Sequence, residues 1–133
     1  MNHRTTLLAA GLFGATGVAI GAFGAHGLHA FLLERGMSNA WETGVRYHLL
    51  HAVALLAVAL WLRHTRPGSV HTCARWTARC WTVGVLLFSG SLYGIALGGP
   101  RWLGPVTPVG GLALLAGWFC LIAAALVKEE TES

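Results

Sequence analysis

The stretch AWETGVRYHLLHAVALLAVALWLR, residues 40–63, decides how many helices this chain sends through a membrane. Its uncharged apolar part runs only from Ala52 to Leu62. A spanning helix needs roughly 20 residues, since a rise of about 1.5 Å each must cover about 30 Å of hydrocarbon. This segment therefore has to borrow residues upstream. Asn39 with Glu42 resembles a capping box, and Glu42 with Arg46 makes a favourable i,i+4 pair, so a helix is expected from near Ala40 to Arg63, its first turns among headgroups. It would carry Tyr47, His48 and His51 inward. The alternative is a surface-lying segment beside three spanning helices.

The rest of the chain supplies three longer windows. Thr5–Ala25 is uncharged between Arg4 and His26. Trp81–Gly98 is uncharged after Arg79 and stops at Gly99-Pro100, a pair that does not extend a helix. Val109–Val127 ends at Lys128, with Thr107 as N-cap and Pro108 at the first helical position. A secretory signal peptide is not expected from the first window, because its apolar run exceeds the usual signal core of about 7 to 15 residues. No lipidation or retention motif is visible.

Composition agrees. Of 133 residues, 55% are apolar and 11% charged, with a mean hydropathy of +0.61, the reverse of a disordered chain and unlike a soluble domain. The length allows one compact domain. The expected fold is all-α, an integral membrane four-helix transmembrane bundle over 1–133. Its helices are expected at about 5–27, 40–63, 80–98 and 108–127, with a basic cytoplasmic loop at 63–79.

With four spans, Arg4, Arg63, Arg66, Arg75, Arg79 and Lys128 share one side, six of the nine basic residues, leaving Arg35, Arg46 and Arg101 on the other. The positive-inside rule then places both termini in the cytoplasm, and the acidic Glu129, Glu130 and Glu132 carry little weight in it. Topology and anionic lipid account for the net charge of +4, so no nucleic-acid partner is inferred. Cys73, Cys80 and Cys120 are odd in number and match no zinc spacing, and read as structural residues.

Helix association in lipid depends on close backbone approach at small residues. Gly11, Gly14, Gly17, Gly21, Gly24 and Gly27 stripe the first helix, and Gly90, Gly94 and Gly98 the third. Such stripes serve an internal contact or a homo-oligomer equally well. Trp41, Trp61, Trp76, Trp81 and Trp102 fall near span ends and read as interfacial anchors.

The unusual polar residues gather toward the non-cytoplasmic half: His26, His48, His51, Ser89, Ser91, Tyr93 and Thr107. His48 and His51 share a helical face, and polar groups at that depth tend to face a bundle interior or cavity. Two or three imidazoles from His26, His48 and His51 could ligate a metal or haem iron, or relay protons. Alternatively these side chains hydrogen-bond between helices. Ser89 and Ser91 lack a Gly-x-Ser-x-Gly elbow, and no catalytic motif is found. The Gly/Pro-rich stretch from Gly98 to Gly111 could cap a cavity or simply connect two helices.

Four segments, Gly21-Ala-Phe-Gly-Ala-His26-Gly, Tyr47-His-Leu-Leu-His51-Ala, Leu87-Phe-Ser-Gly-Ser-Leu-Tyr93, and Thr107-Pro-Val-Gly-Gly111 followed by Gly117-Trp118, resemble the YgdD-like family of small multi-pass membrane proteins, in order and over nearly the whole chain. The resemblance implies a four-helix protein of the bacterial inner membrane and no reaction. His26, His51, Ser89, Ser91, Tyr93, Thr107 and Pro108 fall within its motifs and His48 does not, which weakens a three-histidine ligand set. The expected function is structural or accessory: a subunit or assembly partner in the lipid bilayer, forming a homo-oligomer or joining a membrane complex. The alternatives are a redox or ion-handling protein holding a metal, haem or quinone near the outer helix ends, and a small-molecule transporter acting as an oligomer.

Overall fold

A computed structural model describes residues 1–127; Lys128 and the acidic Glu129, Glu130 and Glu132 lie outside the described residues. The order is α1 (His3–Ala25), α2 (His29–Glu34), α3 (Ser38–His64), α4 (Ser69–Ala96) and α5 (Leu103–Leu126). The chain is all-helical among the described residues, and α1, α3 and α5 are long and apolar enough to cross a membrane. The doubtful segment thus qualifies. α4 is not among the three: Arg75 and Arg79 interrupt its first half, and Ser89, Ser91 and Tyr93 polarise its second.

Several boundaries differ from those expected. α1 starts on a capping box, the Asn2 side chain accepting from the Thr5 N–H at 2.9 Å while the Asn2 N–H donates to Thr5 Oγ1 at 3.0 Å. The box expected at Asn39 is not used. Met37 holds the cap position of α3, following a left-handed turn at Gly36 (φ 64°) that closes the short α2. The stretch 63–79, expected as a loop, is mostly helix: only residues 65–68 separate α3 from α4. The physical reason is amphipathicity, since Ala74, Thr77, Ala78 and Trp81 form one buried face while Arg75 lies exposed on the other. α5 begins at Leu103 rather than 108, so Thr107 is not a cap and Pro108 sits inside the helix.

The long helices pack in the order α1, α3, α4, α5, each antiparallel to the next. Trp41 meets α1 at Ile20, Gly44 meets α4 at Ser89, and α4 meets α5 through Trp81–Leu114 and Ser91–Thr107. Met1 reaches Thr82 on α4, and burial together with the charges of Arg79 and Arg75 lowers the basicity of its amino group. The N-terminus and the start of α4 therefore occupy one end of the bundle.

Glycines set the spacing, but only part of each stripe is used. A Cβ at Gly17 would lie 2.7 Å from Leu49, and one at Gly24 would strike the Trp41 indole. Gly11, Gly14 and Gly90 meet nothing. Among the glycines, Gly110 lies closest to the backbone of a neighbouring helix, and a Cβ there would run into the Phe88 backbone. Two of the five tryptophans read as anchors are core residues instead. Trp81 is 1% exposed and donates to the Leu114 carbonyl at 3.2 Å, and Trp41 is buried and donates to the Ile20 carbonyl at 3.3 Å. Trp76 and Trp102 are exposed.

Candidate functional site

α3 is 27 residues long, about 40 Å at 1.5 Å per residue. His51 stands at its midpoint, deeper than the outer helix ends where the polar set was expected. His48 lies one turn earlier. Both imidazoles are buried in the bundle, whereas His26 follows the end of α1 and is exposed. No group of three or more His, Cys, Asp or Glu side chains able to hold a metal converges among the described residues, and the structure does not bring His26, His48 and His51 together as such a group.

The hydrogen bonds of His48 have a definite direction. Thr16 Oγ1 lies 2.7 Å from the Leu12 carbonyl, which can only accept, so the hydroxyl proton goes there. Thr16 Oγ1 then accepts from His48 Nε2 at 3.3 Å. The opposite ring nitrogen, Nδ1, is left as an acceptor for the Tyr93 hydroxyl at 3.2 Å. A chain of hydrogen bonds runs from α4 through α3 to α1, with Phe13 edge-on against the imidazole.

The other candidates are also engaged between or within helices. Ser89 donates to the Gly44 carbonyl at 2.8 Å, an approach that Gly44 allows because its missing Cβ would press on the Tyr93 ring. Ser91 and Thr107 hydroxyls meet at 2.7 Å across α4 and α5. In α4, Thr77 donates to its own helix and to the Gly117 carbonyl of α5.

His51 is different. Its Nδ1 lies 2.8 Å from the Tyr47 carbonyl and therefore carries the proton, which makes Nε2 an acceptor in the neutral ring. That atom is buried without a hydrogen-bond partner. The ring stands edge-on to Trp81 and Trp118 and roughly parallel to Tyr47. It lines a cleft of about 580 Å³ with Tyr47, Phe88, Gly111, Leu115 and Trp118. The cleft exists because α3 and α5 each pack on α4 rather than on one another.

Nothing in the sequence alone marks Thr16 or Trp118 as a partner of these histidines. Thr16 is a hydroxyl set directly before Gly17, where α1 packs tightly on Leu49 of α3, and that placement is the signal that could have found it. Gly117-Trp118 stands out in the sequence only as part of a motif. In the structure Gly117 admits the Trp81 indole and Trp118 walls the cleft.

The family described as Protein of unknown function (DUF423) matches residues 20–111. A UPF0382 membrane protein of Haemophilus influenzae is 42% identical over 122 residues, 90% of each chain. One from Schizosaccharomyces pombe is 36% identical over 118 residues, 85% of this chain and 94% of its own. The UPF0382 inner membrane protein YgdD of Escherichia coli is 35% identical over 127 residues, 95% of this chain and 92% of its own. No solved structure matches significantly.

Proposed function

The chain belongs to the DUF423 family of multi-pass membrane proteins, and on that premise we propose that it is a four-span inner-membrane protein acting as an accessory subunit or assembly partner of a larger membrane complex. The observation that carries this reading is the use made of the polar side chains. His48, Tyr93, Ser89, Ser91 and Thr107 are all engaged in hydrogen bonds within the bundle. Buried polar groups in lipid are commonly used this way, as interhelical glue. A bundle whose interior is so committed offers its outer faces to neighbours, and both edge helices carry large apolar side chains there, among them Leu12 and Phe23 on α1 and Leu112 and Phe119 on α5.

In this reading α4 is the fourth span. Its basic first turns, with the Arg79 guanidinium over the Trp76 ring at 4.9 Å, stand at the headgroups, and its apolar part from Trp81 onward crosses the bilayer. Arg4, Arg63, Arg66, Arg75 and Arg79 then gather at one end, which the positive-inside rule assigns to the cytoplasm together with both termini.

Affinity purification in mild detergent, after cross-linking in native membranes, tests the role. A stoichiometric membrane-protein partner that survives washing is the expected result. A chain recovered only as a monomer with lipid, cross-linked to nothing, overturns it.

A further inference from the structure

His51, which lines the cleft between α3 and α5, carries the one buried side-chain nitrogen or oxygen left without a hydrogen bond among the described residues. His51 is 1% exposed, and its Nδ1 proton is committed to the Tyr47 carbonyl at 2.8 Å. Nε2 is therefore a buried lone pair facing no donor. An unsatisfied buried acceptor costs more than a hydrogen bond returns, so the position favours an occupant that brings an O–H or N–H group.

The walls narrow the choice. A volume of about 580 Å³ falls in the range of small-molecule sites, roughly 300–1,000 Å³. Tyr47 and Phe88 lie with ring centroids 4.7 Å apart on one side, and Trp118 stands on the other. Flat aromatic faces favour a planar ring. The mouth is formed by exposed apolar groups, Leu115 and Trp118 among them, on the outer surface of the bundle, where a long apolar tail can lie in the hydrocarbon.

We propose that this cleft binds the ring head of a lipid-soluble hydroquinone, with a ring hydroxyl donating to His51 Nε2. Nε2 itself is covered by its neighbours, with Trp81 and Trp118 both edge-on against the imidazole, so contact requires a covering ring to shift, and of these two only Trp118 reaches the mouth, where it is 40% exposed. The oxidised quinone has only carbonyl oxygens at the same positions. It would set acceptor against acceptor and bind less well. The inference concerns binding alone; it rests on the membrane placement of α3, α4 and α5 proposed above and not on any partner protein.

The test uses the full chain in lipid nanodiscs, titrated with decylubiquinol kept reduced and, separately, with decylubiquinone, followed by tryptophan fluorescence and native mass spectrometry. Saturable binding of the reduced form is expected, about tenfold tighter than the oxidised form, the equivalent of one neutral hydrogen bond. His51→Phe keeps a ring but removes the acceptor, and should abolish the preference. Gly111→Leu fills the cleft where a Cβ would meet only the Phe88 ring at 3.7 Å, and should weaken both forms. Equal affinity of the two forms for the wild type, a preference that survives His51→Phe, or no saturable binding overturns the proposal. Should His51→Phe fail to fold, undiminished binding to Gly111→Leu overturns it alone. Because the isolated protein is titrated, absence of a membrane partner leaves the result intact.

Discussion

His48 and His51, one turn apart on α3, are held in opposite tautomers: His48 carries its proton on Nε2, toward Thr16, and His51 carries its proton on Nδ1, toward the Tyr47 carbonyl. The difference follows from which neighbour lacks a proton to give. Nitrogen-15 NMR of histidine-labelled protein in bilayers should therefore show one Nε2–H and one Nδ1–H imidazole in the buried pair, assigned by His48→Gln and His51→Gln. Two identical tautomers would contradict the arrangement.

Removing the Tyr93 hydroxyl leaves His48 Nδ1 without its donor. Tyr93→Phe should lower stability by about 1 kcal/mol, the usual scale for a hydrogen bond between membrane helices. Thr16→Val acts on the other end of the same chain. A double-mutant cycle in detergent unfolding should find the two effects coupled, since they share one imidazole; strict additivity speaks against a connected chain.

Gly110 and its neighbour Gly111 should behave differently on substitution. A Cβ at Gly110 meets the backbone of Phe88, which cannot rotate away, while one at Gly111 meets a ring at ordinary contact distance. Gly110→Ala is expected to destabilise by about 1–3 kcal/mol through overpacking, and Gly111→Ala to change stability little. Thermal unfolding of both variants in the same detergent decides it, and equal melting temperatures would rule out the tight α4–α5 crossing.

The two classes of tryptophan offer a similar comparison. Trp81→Phe loses packing volume and the bond to the Leu114 carbonyl, whereas Trp102 is 66% exposed. Trp81→Phe should lower the melting temperature by several degrees, as expected of a loss of about 1–2 kcal/mol. Trp102→Phe should leave it unchanged. Equal sensitivity would restore Trp81 to the role of an interfacial anchor.

Labelling with a membrane-impermeant thiol reagent tests whether α4 crosses. In a chain with Cys73, Cys80 and Cys120 replaced by serine, Asn2→Cys and Pro67→Cys should react from the same face of the membrane and Arg101→Cys from the opposite face. Reaction of Pro67→Cys and Arg101→Cys from one face would leave α4 on the surface.

Much of the fold was legible because charge-free runs such as Thr5–Ala25 and Val109–Val127 have few alternatives in a chain this apolar. Residues 63–79 read as a loop in the sequence for a physical reason. The arginines there break the hydropathy signal, yet Ala74, Thr77, Ala78 and Trp81 recur at helical spacing and are buried. Within the site, the residue types at 48, 51, 89, 91, 93 and 107 were visible as unusual for a membrane interior. Their pairing was not, because it depends on how far each helix slides past its neighbour. Gly110 against Phe88 and Gly24 against Trp41 fix that register, and a glycine in sequence does not announce which partner approaches it.

The directed bonds from the Tyr93 hydroxyl through His48 to Thr16 join α4 to α1, two helices with no extended packing between them. The imidazole thus acts as a mechanical linkage between the outermost helix on one flank and the bundle's interior. Displacing α1 along α3, through thickening of the bilayer or pressure from a neighbour, changes the Thr16 contact together with the close contacts at Gly17 and Gly24. Through the imidazole that change reaches Tyr93 on α4, a helix that α1 does not itself pack along.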